Sequence, residues 1–335
     1  MRLLVLVSGG RVETLQASPL IRTLAEALPA AEIILACPPG AADLAAHLHG
    51  VGEVLALPSL ATRWSLRSWI GDWMRVRRRR VDIAILCSGA ARVRLLAYAT
   101  GIAQRLGMAG GLTTVLLSDH QRDPGSENPA GLWLRLAHLL GVAMERHAPR
   151  LELGEDAHQR ALVQLHSSGV ADGRLLVALA PGDGFSDEDW RGPRHRWGEE
   201  RWAHLANQLA TRHAAGIVFV GAPSDEEIVK RSVVDTAAAH TNLTGTLGVI
   251  ETAALVGLCD LLVCADSPLL HLAAGVGTPT VGLFGPTSGR RRGPYGVEHR
   301  MVQALARVSP SGSERPSLQR IRVEDVLAAI ETDGV

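Results

Sequence analysis

The chain has 335 residues, enough for two domains of ordinary size. At 47% apolar and 20% charged its composition is that of a soluble globular protein, and its apolar runs break well before the roughly 18–20 residues of a membrane-spanning helix. A formal net charge of zero argues against a general nucleic-acid binder.

The amino-terminal "MRLLVLVSGG" is too short for a secretory apolar core and is followed by no small-residue cleavage site, so it reads as the first core strand. Further strands are expected at residues 32–37, 53–58, 82–87 and 113–118. Helical spacing lies between them at 18–28 and 90–106, then at 130–142. After a polar stretch over 154–173 the alternation restarts, with strands at 174–182, 216–223, 261–266 and 279–287 and an amphipathic helix near the carboxyl end. Short, fully apolar strands alternating with helices imply an α/β fold with mostly parallel sheets. Two domains are expected, 1–160 and 161–335. Two facing sheets of this kind make a cleft, lined by loops at the carboxyl ends of the strands.

Cys37, Cys87, Cys259 and Cys264 sit in or beside apolar runs without metal-ligand spacing, which reads as buried, reduced thiols in a cytosolic protein. Lys230 is the single lysine among 34 basic residues, leaving 33 arginines. With no GxxxxGK(S/T) there is no P-loop, and no GxGxxG follows the first strand, which counts against a dinucleotide enzyme.

The stretch "LLVCADSPLLHLAAGVGTPTVGLFGPTSGRRRGPYG" (261–296) holds the chemistry. Ser267 suits a helix N-cap and Pro268 the first helical position. The amides of Leu269 and Leu270 would then point outward and, with the helix dipole, form an anion site, with His271 one turn on. Arg290, Arg291 and Arg292 follow on a glycine-rich loop where guanidinium groups would suit phosphate oxygens, or where they are a solvated run. Thr287 and Ser288 are further candidate phosphate contacts. Asp266 orients His271, contacts donor hydroxyls, or merely closes a turn. Asp225 or Glu226, after "GAP", could accept from ribose hydroxyls or be helix-start acids. In "TRWSLRSWIGDWMRVRRRR" (62–80), Trp64, Trp69 and Trp73 recur among Arg63, Arg67 and Arg77–Arg80. That is either an amphipathic face for a membrane or anionic glycolipid, or a helix whose tryptophans pack inward.

This second-half stretch is similar to the signature of the heptosyltransferase family, D-(S/T)-G-x-x-H-L-A-A…G-T-P-x-V-x-L-F-G-P-T…G-P-Y-G. "LAPG" (179–182), "RWGEERWAHLANQL" (196–209), "VFVGAPSDEEIVK" (218–230) and "NLTGTLGVIETAALVGLCDLLVCAD" (242–266) resemble other family pieces in the right order, and residues 2–24 and 77–101 resemble looser first-half ones. The resemblance implies GT-B architecture, two facing Rossmann-like domains with acceptor bound by the first and nucleotide sugar by the second. It implies inverting transfer without a metal or cofactor, with ADP-heptose as co-substrate and a lipopolysaccharide-core or similar lipid-linked glycan as acceptor. The place would be the cytoplasm, with peripheral contact at the inner membrane.

Four positions depart from the family pattern. Glu13 stands where the family has its aspartate base, with Val12 before it. His195, flanked by Arg194 and Arg196, stands at a phosphate-contacting lysine. Pro268 replaces a glycine amide, and Leu86-Cys87-Ser88-Gly89 replaces D-L-Q-G. On the family pattern Glu13 is the base, though a first-turn acid stabilised by the helix dipole is the plain alternative. Arg194, His195, Arg196, Asp225, Glu226, Asp266, Ser267, Leu269, Leu270, His271, Thr287, Ser288 and Arg290 are the donor set, and Arg63 and Arg67 the acceptor set. A family member that binds nucleotide or glycan without turnover, and a sugar-nucleotide epimerase on the same fold, are the competing readings.

Overall fold

In a computed structural model the described residues are 1–61, 65–125, 127–144, 147–169, 175–182, 184–185, 193–296, 299–309, 312–314 and 316–331. They divide into two compact units, Met1–Glu152 and Leu153–Val335.

The first unit runs β1 (Arg2–Val7), α1 (Arg11–Ala27), β2 (Glu32–Cys37), α2 (Ala42–Ala45), β3 (Glu53–Ala56), α3 (Leu66–Arg78), β4 (Ile83–Cys87), α4 (Ala91–Ala99), β5 (Gln104–Met108), β6 (Asp119–Gln121) and α5 (Pro129–His138). Its six strands pair in parallel in the order β3-β2-β1-β4-β5-β6. The inner strands are apolar throughout because helices cover both faces of the sheet. Leu4, Leu6, Ile34 and Leu86 pack under Val76 of α3 and Val93, Leu96 and Ala97 of α4. Helix α1 carries Pro19 in its interior, so the Leu15 carbonyl has no amide donor four residues on; Ser18 Oγ donates to it at 2.8 Å instead.

The second unit runs α6 (Glu155–Ser167), β7 (Leu176–Ala180), α7 (Glu199–His213), β8 (Gly216–Phe219), α8 (Glu226–Val233), β9 (His240–Asn242), α9 (Val249–Gly257), β10 (Leu261–Ala265), α10 (Pro268–Val276), β11 (Thr280–Phe284), α11 (Gly289–Arg292), β12 (His299–Gln303) and α12 (Val323–Glu331). Its sheet, again all parallel, is ordered β12-β11-β10-β7-β8-β9. Trp197 and Trp202 meet edge to face at 4.8 Å in its core, with Trp197 Nε1 donating to Ile321 O at 2.8 Å.

Both sheets therefore have the strand order of dinucleotide folds, reversing between β1 and β4 in one and between β7 and β10 in the other. Ligands bind at the carboxyl ends of strands at such a switch point.

Three expectations are corrected. The boundary falls after Glu152 rather than after residue 160, because α6 packs on α9 and Arg160 pairs with Glu251 at 3.2 Å. The segment 90–106 is not one helix: α4 stops at Ala99, Gly101 turns the chain at φ +80°, and β5 follows. The run expected as a strand over 113–118 holds a tight turn over Leu112–Leu116, with Leu112 94% and Val115 84% exposed. All four cysteines are buried and none forms a disulfide. No helix among the described residues is long and apolar enough to cross a membrane.

Candidate active site

At the first switch point β1 hands the chain through Ser8-Gly9-Gly10 into α1. Gly9 lies at φ +125°, and a Cβ there would stand 2.7 Å from the Glu13 carboxyl carbon, so only glycine lets that side chain fold back over the turn. Glu13 Oε2 accepts from Gly10 N at 2.8 Å, the acid half of a capping box, and the carboxylate is half-buried. Ser88, at the end of β4, exchanges a hydrogen bond with the Ser8 hydroxyl and accepts from Ala90 N at 3.1 Å. Glu13 thus caps its own helix at the switch point of the first sheet.

At the second switch point β10 ends at Ala265 and Asp266 follows, buried, its amide donating to Leu283 O at 3.2 Å. Ser267 is the N-cap of α10 and Pro268 opens the helix, as expected, and Gly277 closes it in the left-handed region. The Ser267 hydroxyl makes no capping bond and lies 3.8 Å from Cys264 Sγ. Of the two amides expected to point outward, that of Leu270 donates to Ser267 O at 3.2 Å. The amide of Leu269 makes no backbone hydrogen bond among the described residues. The anion site is therefore narrower than the sequence implied.

Arg292, in α11, brings Nε to 2.7 Å from Asp266 Oδ2. The contact is an ion pair without hydrogen-bond alignment, and neither buried oxygen of Asp266 accepts a hydrogen bond among the described residues. His271 is buried beside them, bonded to the Arg292 main chain, with Nε2 unpartnered among the described residues. Burial pushes its pKa down to about 4; Asp266 pulls the other way, while Arg292 and His299 add to the lowering. The ring is neutral at neutral pH.

Gln303, at the end of β12, anchors the loop that carries α11. Its Nε2 donates to the carbonyls of Phe284, Gly285 and Thr287 at 3.0–3.1 Å, and its Oε1 accepts from Gly289 N at 2.9 Å. The Thr287 hydroxyl is buried and unpartnered, while Ser288 and Arg290 are exposed. A Cβ on Gly285 would stand 3.1 Å from Arg194 O, so the turn Pro193–His195 lies against the end of β11. There Arg194 and Arg196 are exposed and His195 is half-buried.

Asp225 latches two loops together. Only 4% exposed, its Oδ2 accepts from Gly184 N and Ala222 N, both at 2.9 Å, joining the loop after β7 to the loop after β8. A Cβ on Gly182 would fall 2.2 Å from its Cγ. Gly184 in turn, at φ +51°, sits where a Cβ would meet Leu269 Cδ1 at 2.5 Å, so the latch sets the backbone against the first turn of α10. Glu226 is exposed and pairs with Lys230 at 3.0 Å, an ordinary helix-surface pair.

Of the acceptor residues, Arg63 lies outside the described residues, as does Trp64, and Arg67 is exposed on α3. The remaining tryptophans turn inward. Trp69 and Trp73 pack against the core of the first unit, and Trp73 Nε1 donates to Ala99 O at 2.8 Å. The outer side of α3 instead presents Leu66, Ile70 and Met74.

Of the candidate residues, Glu13 stands at one switch point and Asp266, Ser267, Leu269 and His271 at the other. Gln303 has no signal in the sequence, since it sits in a strand without an apolar run, and Arg292 is legible only as one of three consecutive arginines, of which Arg290 alone enters the donor set.

Residues 72–321 match glycosyltransferase family 9 (heptosyltransferase). The matched residues begin after Glu13. Over 319 residues the chain is 25% identical to lipopolysaccharide heptosyltransferase 2 of Escherichia coli K12, covering 91% of this chain and 88% of that protein. A glycosyl transferase of family 9 from Veillonella parvula superposes with a TM-score of 0.84 at 22% identity, covering 99% of this chain and 96% of the other. The E. coli ADP-heptose heptosyltransferase II superposes with a TM-score of 0.76 at 23% identity, covering 98% and 97%. The fold is of the GT-B class, two Rossmann-like units in one chain, and the chain belongs to glycosyltransferase family 9, the heptosyltransferases.

Proposed function

We propose that this glycosyltransferase moves a heptose from ADP-heptose to a lipid-linked glycan of the lipopolysaccharide core, with inversion at the anomeric carbon and Glu13 as general base. The activities of its relatives, a lipopolysaccharide heptosyltransferase and an ADP-heptose heptosyltransferase, support the donor and acceptor. The observation that carries the reading is Asp266, a buried carboxylate with no hydrogen bond to either oxygen among the described residues, held beside the start of α10 by Arg292. A buried acid left this way is costly unless a ligand completes it.

Sugar hydroxyls would donate to Asp266, and the diphosphate would settle against the Leu269 amide at the positive end of the α10 dipole. The acceptor hydroxyl gives its proton to Glu13 as its oxygen attacks the anomeric carbon opposite the diphosphate. The bond from that carbon to the diphosphate oxygen breaks, and the electron pair leaves with the nucleotide. The charge that builds there is met by the helix start and by Arg292, with Arg194, Arg196 and Arg290 nearer solvent. His271 stays neutral and adds no charge of its own.

The test is donor selection followed by product. ADP-heptose should raise the melting temperature more than UDP-sugars do, and heptose should appear on heptose-deficient lipopolysaccharide. Binding without transfer to any such acceptor would make the chain a binding protein. Release of an epimerised sugar nucleotide without acceptor would make it an epimerase.

A further inference from the structure

We infer that the outer face of α3, with its neighbours α4 and the turn Leu112–Leu116, docks on an anionic phospholipid bilayer. Residues four apart share one side of a helix, and at that spacing α3 exposes Leu66, Ile70 and Met74. Arg67 and Arg78 fall on the same side, and the Arg77 guanidinium lies over the Trp73 ring at 5.4 Å. Arg75 pairs with Asp72 and the Ala56 carbonyl, Arg79 pairs with Glu53, and Arg80 is exposed past the helix end.

The apolar surface continues sideways. Helix α3 touches α4, which exposes Leu95 and Tyr98, and α4 touches the turn that exposes Leu112 and Val115. Seven large apolar side chains on three adjacent elements make a patch, not scattered surface residues.

Charge selects the occupant. Residues 66–116 contain nine arginines and two aspartates in a chain whose net charge is zero. Of the two, Asp72 is buried and accepts from Ser59 N at 2.8 Å, while Asp82 is exposed at the amino end of β4, where it accepts from Arg2 N. A protein interface concentrates apolar side chains at a centre depleted of charge. Here guanidiniums alternate with aliphatic side chains along the helix, the pattern that inserts into a headgroup layer while binding lipid phosphates.

The test is co-sedimentation of the full chain with vesicles, without sugar nucleotide or glycolipid, so that it reads independently of the transfer reaction. The chain should bind phosphatidylcholine vesicles containing about one-third phosphatidylglycerol, ignore pure phosphatidylcholine, and release at high salt. Arg67→Glu with Arg78→Glu should cut partitioning by at least about 30-fold. Ile70→Ser with Met74→Ser should weaken it without changing the melting temperature. Val234→Ser with Leu305→Ser, exposed positions of the second unit, should leave it unaltered. Equal binding to both vesicle types, no binding to either, or α3 variants that bind as the parent does would overturn the inference. So would α3 variants that turn a dimer into monomers, because a second copy would then be what covers this face.

Discussion

Arg292 Nε and Asp266 Oδ2 stand 2.7 Å apart at the switch point of the second sheet, one from the short helix after β11 and the other from the end of β10. The aspartate is buried and the arginine partly exposed, so the pair neutralises a carboxylate neither of whose oxygens accepts a hydrogen bond among the described residues.

Removing the arginine alone leaves that charge uncompensated. Arg292→Met should cost about 2–3 kcal/mol of stability and raise the KM for donor, while Asp266→Asn in the same chain should restore much of the stability but not the donor affinity. Chemical denaturation of the single and double variants measures this. Equal stability of Arg292→Met and the parent would show that the pair is incidental.

The two amide bonds of Asp225 link the loops after β7 and β8. Asp225→Ala strands two buried donors and should destabilise the second unit by about 2–4 kcal/mol. Because Gly184 rests on Leu269, nucleotide binding should weaken along with it. A variant with normal stability but lost nucleotide binding would instead mean direct contact with the ribose.

His271 gives a pH signature. Its folded pKa of about 4 lies below the unfolded value near 6.5. Between those values the unfolded chain takes up a proton that the folded chain refuses. The contribution is therefore complete above about pH 6.5 and is lost as pH falls toward 4, by up to about 3 kcal/mol. His271→Gln should flatten that part of the stability-against-pH curve. Identical slopes for parent and variant would mean that the ring titrates normally.

The leaving diphosphate is assigned to the α10 start and arginines, so transfer should persist within about twofold in excess EDTA. Loss of rate restored by magnesium would move that role to a metal ion.

Much of this fold could be read from residue order because the inner strands are bare apolar runs. Strands β6, β9 and β12, which read "DHQ", "HTN" and "HRMVQ", gave no such signal: each lies at a sheet edge, where solvent tolerates polar side chains. The site shows the same split. Ser267-Pro268 marks a helix start by local chemistry alone. Asp225 looks like a helix-start acid because its partners are main-chain amides, and the fold alone brings Gly184 to it. Gln303 is invisible for that reason too. The inward turn of Trp69 and Trp73 depends on which side of α3 meets the sheet, and spacing leaves that choice open.

The proton acceptor is the point on which transfer turns, and Glu13→Gln isolates it. The amide oxygen can still accept from Gly10 N, so the helix cap and melting temperature should hold while the proposed base is gone. Single-turnover transfer from ADP-heptose should fall by about 100-fold or more, with donor affinity unchanged and Glu13→Asp partly active. A Glu13→Gln chain that transfers at the parental rate would remove Glu13 from the chemistry.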